Sequence, residues 1–447
     1  MSQINEKIKN KVTKIKIDTF TVIRPNSAGI DISSKDYVVA IPSDRDKESI
    51  RTFGCFTEDL DAIAKWLIKC GIDSVAMEST GVYWKQLFLV LQEHGLDVFL
   101  VNSRHVKNVT GKKTDEQDAR WIQRLHACGL LSNSFQPDES IRTLRSFIRF
   151  RKKVNDNKSI YVSRMVKSLE EMNIKLSFIL SDIKSVTGQN IIKAIVDGER
   201  EPENLIKLVH YKVQAKPEQI LKALKGTWRD ECIFELKQSF DTYNFLQKQT
   251  EECDNEIEKQ LIKIIAVKNE GDITCVTNDV KKKSYRKNEY SFNVEKYLNQ
   301  ILGINLMTIY GVSEDTALVL FSETGSDLSS FKNADHFASW CGLTPNNKIS
   351  GGNIISSRLP NKKHAIKNAL LRAANSLYRS NNALGDFYRK KRSQKGAKGA
   401  KVAVARKIAI IYFHMMTKKE PFNSEFYQQQ QNKNNQRRIE YLQKQIA

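Results

Sequence analysis

Asp115 and Asp118 stand at spacing i, i+3 in Gly111-Lys112-Lys113-Thr114-Asp115-Glu116-Gln117-Asp118-Ala119-Arg120, where a turn feeds a helix. That spacing puts both carboxylates on one helix face. Two more acids lie upstream: Asp31 in the alternating stretch from Ala28, and Glu78 closing the short apolar run Ser74-Val75-Ala76-Met77. Hard divalent cations such as Mg2+ are held by clustered oxygen ligands and polarise phosphodiesters. A strand centre, a strand end and one helix face could therefore offer a four-carboxylate cluster of the kind a metal-dependent nuclease core needs. Acids so close together repel unless cations neutralise them. The plain alternative for the aspartate pair is helix-start chemistry, because Thr114 can cap the helix and Gln117 completes a capping box.

Ser350 is the second candidate. A hydroxyl in Ile349-Ser350-Gly351-Gly352 lets a backbone and a phosphodiester approach closely, with Lys348, Arg358, Lys362 and Lys363 available to hold the phosphate. The alternative is an ordinary Ser-Gly-Gly turn. The seven histidines do not cluster, so no His-based triad is suggested, and His105, His126 and His364 are read as structural or phosphate-contacting.

The elements that must position these residues follow from periodicity. Ala28, Ile30 and Ile32 alternate with Gly29, Asp31 and Ser33, and Ser34-Lys35-Asp36 turns into Tyr37–Ile41, which reads as a β-hairpin with Asp31 on the face opposite Ile30. A third strand fits Ile50 to Phe56, a helix Glu58 to Lys69, a strand ending in Glu78, a helix Val82 to Glu93, and a strand Leu96 to Val101. This order predicts a mixed sheet with helices on both faces, and sites at its strand ends. Two long amphipathic tracts, Ile141 to Phe178 and Cys232 to Ala266, predict an antiparallel coiled-coil arm or a plain helical bundle. Thr274 to Tyr290 is polar and basic with Tyr285 and Tyr290 interleaved, as suits a linker that touches phosphates or merely stays solvated. Lys348 to Asn353 reads as a loop by its glycines.

At 447 residues the chain is too long for one ordinary domain. Its 72 Lys plus Arg against 51 Asp plus Glu leave a charge of +21, which argues for a polyanionic partner, nucleic acid first. No stretch reaches the roughly 20 apolar residues that span a bilayer, and the lysine-rich start has no apolar signal core, so a cytoplasmic location without membrane partner is expected. Seven scattered cysteines without a C-x-x-C pair speak against a disulfide framework and a zinc module.

These residues also carry a resemblance. Gly-Ile-Asp31-Ile-Ser, Met-Glu78-Ser-Thr-Gly-Val-Tyr-Trp and Lys113-Thr-Asp115-Glu-Gln-Asp118-Ala resemble the DEDD transposases of insertion-sequence family one-ten. So do Phe337-Ala-Ser-Trp-Cys-Gly-Leu-Thr-Pro345, Ile349-Ser-Gly-Gly352 and Ala369-Leu-Leu-Arg-Ala-Ala374. The resemblance implies an α/β plus α chain. It implies a RuvC-like, RNase H-type mixed-sheet domain (26–140), a helical coiled-coil segment (141–270) and a mostly helical C-terminal transposase domain (301–420). Composition, not the resemblance, gives the basic arm (1–25), the basic linker (271–300) and the Gln/Asn-rich tail (421–447) that need not fold. The resemblance further implies Mg2+ or Mn2+ held by Asp31, Glu78, Asp115 and Asp118, with Ser350 as nucleophile. The implied partners are double-stranded donor and target DNA, an element-encoded guide (bridge) RNA, and further copies of the chain in a dimer or tetramer, on the bacterial nucleoid. Where the family often has a lysine after Ser-Gly-Gly, this chain has Asn353. Two rival readings remain: a hydrolytic RuvC-like nuclease of the junction-resolving type without covalent intermediate, and a non-enzymatic nucleic-acid scaffold.

Overall fold

The computed structural model of the chain describes residues 21–102, 114–268, 289–360 and 364–446. Lys112, Lys113, His105, Lys362, Lys363, most of the N-terminal arm and most of the basic stretch 271–300 lie outside the described residues. Two compact units divide the chain, Met1–Phe135 and Gln136–Ala447.

The first unit is built on a five-stranded sheet of order β3-β2-β1-β4-β5. Its strands are β1 Ser27–Ile32, β2 Asp36–Ala40, β3 Ile50–Gly54, β4 Ser74–Glu78 and β5 Asp97–Val101. β1 and β2 are antiparallel because Ser33 closes a tight turn, its Oγ accepting from the N–H groups of Lys35 (3.0 Å) and Asp36 (3.1 Å). β1, β4 and β5 are parallel, which requires crossovers, and the helices α1 Thr57–Lys69 and α2 Trp84–Glu93 supply them. Leu60, Ile63 and Leu67 of α1 and Leu87 and Leu91 of α2 bury one sheet face together with Ile30, Val39 and Met77. The other face takes a third helix, α3 Asp115–Ala127, through Ala119, Ile122 and Leu125. The mixed sheet with helices on both faces is the arrangement that the periodicities predict.

The second unit begins with α4 Glu139–Glu171, started by Asp138, whose carboxylate accepts from Ile141 N–H at 2.9 Å. Shorter helices follow, among them α5 Val186–Val196 and α6 Pro217–Leu224, the latter with proline in its first turn. Next comes α7 Asp230–Lys268, which runs antiparallel to α4: Arg151 meets Asp254, and Lys158 meets Gln247 at 2.9 Å. At one end of this pair Leu169 and Leu236 join Ile191, Ile195 and Leu224 in a core of their own.

Beyond the pair lie α8 Val294–Leu302, α9 Glu314–Thr324, α10 Ala334–Trp340, the strands β6 Lys348–Ser350 and β7 Asn353–Ser356, and the helices α11 Ala365–Ser376, α12 Ala383–Lys418 and α13 Ser424–Ile446. Every residue of α9 from Thr316 to Thr324 is buried, so it packs on all sides rather than along one stripe. The Gln/Asn-rich end, which the composition leaves free not to fold, is helical in α13.

Candidate active site

Strand alternation decides which acids can meet. Ala28, Ile30 and Ile32 of β1 face α1 and α2, so Gly29 and Asp31 face α3. Met77 of β4 faces α1 and α2 and Ala76 faces α3, so Glu78 joins Ala76 on the α3 side. Ile30 pairs with Met77 in the parallel ladder, which makes Asp31 and Glu78 neighbours one step beyond it. On α3, Ala119 and Ile122 pack against the sheet, and Asp115 and Asp118 stand one turn earlier on the same stripe. The helix thus carries its acids past the carboxyl ends of β1 and β4.

The approach of α3 depends on Gly29. A Cβ there would stand 2.2 Å from the Gln123 backbone nitrogen and 2.5 Å from the Ala119 carbonyl oxygen, so only a residue without a side chain lets the helix lie this close. Arg120 fixes the helix laterally: its guanidinium donates to the Ile41 carbonyl and, at 2.6 Å, to Ser49 Oγ. At the helix start Thr114 Oγ1 accepts from Gln117 N–H at 3.3 Å, the cap that the sequence predicts. At its end His126 is buried against Ser74 Oγ, 2.7 Å from Nε2, and burial pushes its pKa down to about 4, so it is a neutral structural histidine. Gly29 and Arg120 escape a search for acids and nucleophiles; the signal for Gly29 is its place two residues before Asp31 on the same face.

The electrostatics record the gathering. Asp31 has its pKa raised to about 6, first by burial and then by the charges of Asp118, Asp115 and Glu78. Glu78 is oriented by Thr80, whose Oγ1 donates to Oε1 at 3.1 Å. Four hard oxygen donors, with a net repulsion at Asp31 that its backbone hydrogen bond from Ile32 only partly offsets, fit a divalent cation in kind and in charge. Among the described residues, however, no three of His, Cys, Asp and Glu stand close enough to hold a metal ion. The donors are gathered but not drawn in to ligating distance.

Ser350 lies in the second unit and in a more regular setting than a loop. β6 and β7 form a hairpin in which Ser350 pairs with Asn353 across Gly351 and Gly352. Both glycines have positive φ, 55° and 79°, the backbone of a two-residue hairpin turn whose twist matches its strands. Ser350 is exposed at this corner. Lys348 pairs with Ser356 at the far end of the hairpin, and the Arg358 carbonyl accepts from Asn346 N–H at 3.1 Å.

Residues 28–174 match the DEDD transposase model of the IS110 group, and residues 304–389 match that of the IS116/IS110/IS902 transposase family. The first stretch contains Asp31, Glu78, Asp115 and Asp118, and the second contains Ser350. None of the curated proteins matches the chain.

Proposed function

We infer that this chain, which belongs to the IS110 family of transposases, mobilises its element by serine attack on DNA phosphodiesters with the aid of a carboxylate-held divalent cation. The observation that carries the reading is the convergence of Glu78, Asp115 and Asp118 on Asp31. Mg2+ or Mn2+ held by these four acids would supply positive charge against the phosphate oxygens. Ser350 acts as the nucleophile: its Oγ bonds to phosphorus as the bond to the leaving strand's oxygen breaks, the serine proton is given up, and the leaving oxygen takes a proton. The phosphoserine link keeps the bond energy, and the hydroxyl of a second strand reverses the step. The hairpin supports this role by presenting the hydroxyl at a fixed, exposed corner. Duplex donor and target DNA are the substrates. An element-encoded guide RNA selects them and covers part of the +21 surface. The protein works as a dimer or tetramer on the nucleoid; among the described residues no helix is long and apolar enough to cross a membrane.

The test combines the purified protein, its element's flanking RNA, a donor-junction DNA and Mg2+, and looks for a denaturant-resistant protein–DNA adduct. Wild type should form one, Ser350→Ala should form none, and Asp115→Asn should lose cutting by roughly a hundredfold or more. Cutting that proceeds without any adduct and survives Ser350→Ala would make the chain a hydrolytic nuclease instead.

A further inference from the structure

One surface of the second unit has no part in this chemistry. From Phe387 to Lys419 the chain has no acidic residue, and between Arg389 and Lys401 it has seven lysines and arginines. These lie on α12, which is not one straight helix. Gly396 has φ 70° and ψ 175°, outside any helical conformation. Lys407 Nζ stands 4.8 Å from the Phe387 ring centroid, and Lys391 Nζ stands 5.7 Å from the same ring. On a straight helix, residues 387 and 407 would lie about 30 Å apart. The two halves therefore fold back on each other, with Gly396 at the corner.

The C-terminal half is anchored by Val404, Ala405, Ile408 and Tyr412, all buried. The N-terminal half is pinned by Arg389, which donates to the carbonyls of Tyr378 (3.1 Å) and Ser380 (2.9 Å), and by Arg392 over the Tyr378 ring at 4.4 Å. Some of the basic run is thus used in holding the bend. Lys390, Lys395 and Lys398 are exposed, and among the described residues none of them has a carboxylate partner. The bend gathers their charge at an exposed corner of α12 whose own stretch of chain carries no acid.

Exposure and charge select the partner. A small anion needs a concave cradle, and an anionic membrane needs apolar side chains to enter it. No large apolar residue is exposed between Tyr378 and Phe426. Duplex DNA, with one negative charge per about 1.7 Å of axis, offers a rigid polyanion that a set of exposed ammonium groups can follow. We propose that the Gly396 corner of α12 is a docking surface for the backbone of duplex DNA, with Lys390, Lys395 and Lys398 as its phosphate contacts. The proposal rests on the reading of the chain as a DNA-acting enzyme.

The test measures binding of the full chain to a labelled duplex by fluorescence anisotropy over a salt series. In Lys390→Gln/Lys395→Gln/Lys398→Gln the slope of log affinity against log salt should fall by about 2 to 3, since each lost phosphate contact removes about 0.9. Gly396→Ala keeps every charge but denies the φ and ψ that form the corner, so it should also weaken binding. A slope unchanged in the triple variant, with wild type binding normally, overturns the proposal and leaves the transposase reading standing. Loss on a structured RNA but not on the duplex overturns it in favour of an RNA-facing corner. Failure of wild type to bind the duplex at all sinks the DNA-acting reading and the proposal with it. Should Gly396→Ala fold poorly, the triple variant, altered only at exposed positions, decides alone.

Discussion

Asp31 is an acid that the fold holds at a cost, first of burial and then of the negative charges around it. With a pKa near 6 against an ordinary 3.8, it binds more protons folded than unfolded between those values, so stability falls as pH rises through that window. Above pH 6 the whole penalty remains. Asp31→Asn in metal-free protein should therefore stabilise the first unit at pH 7.5 by on the order of 1 kcal/mol, discounted from the full shift because the group still meets water. The gain should shrink towards zero at pH 4, and DNA cutting should be lost at every pH. Thermal melting at the two pH values, with and without Mg2+, checks this, because added cation should raise the melting point of wild type and not of the variant. A wild type that is the more stable of the two at pH 7.5 without metal would refute the repulsion argument.

At the scale of elements, the site is the distance between α3 and the sheet. Gly29→Ala forces a methyl group into the backbone of Ala119 and Gln123, so the helix must lift and take Asp115 and Asp118 with it. The expected cost is about 1 to 3 kcal/mol of stability together with most of the cutting activity, read by melting and by the adduct assay. Full activity in that variant would mean that the helix's proximity does not set the acids. The five strands and α1 to α3 were legible in the sequence through several signals: Ala28, Ile30 and Ile32 at period two, Leu60, Ile63 and Leu67 at helical spacing, the short apolar run before Glu78, and the Thr114 cap before Asp115. The face of Asp31 was legible for the same reason. The Ser350 hairpin was not, because β6 has three exposed residues without alternation, and Gly351-Gly352 signals a loop as readily as a turn. The fold-back of α12 was hidden too, since the contact of Lys407 with Phe387 is made by tertiary packing that no local pattern announces.

At the largest scale, a few buried charges tie together distant stretches of the second unit. Arg151 binds Asp254 across the α4–α7 pair, donates to the Glu289 carbonyl at 3.0 Å, and stacks on the Tyr290 ring at 3.8 Å. Asp254 in turn accepts from Ser291 N–H at 3.2 Å. Arg149 likewise grips the buried Glu323 of α9 through two bonds of 2.8 and 2.7 Å. Arg151→Met alone should cost about 3 to 5 kcal/mol by leaving Asp254 buried and unpaired, whereas Arg151→Met with Asp254→Leu should recover most of it. Chemical denaturation of the two variants distinguishes them, and a double variant as unstable as the single one would show that the pair contributes more than mutual neutralisation. The amphipathic tracts announced both long helices, but not which charge on one meets which on the other, because that pairing spans 103 residues of sequence.

The corner beside Ser350 has one more consequence. A Cβ on Gly351 or Gly352 would meet nothing within 4 Å, so space does not demand glycine at either position. Handedness does: φ values of 55° and 79° belong to the mirror image of the conformation that L-residues prefer. A pair of D-alanines would sit there without clash or strain. Ribosomal synthesis supplies only one residue that has no hand, and a chain written in that alphabet holds its serine at such a corner most cheaply with two glycines after it.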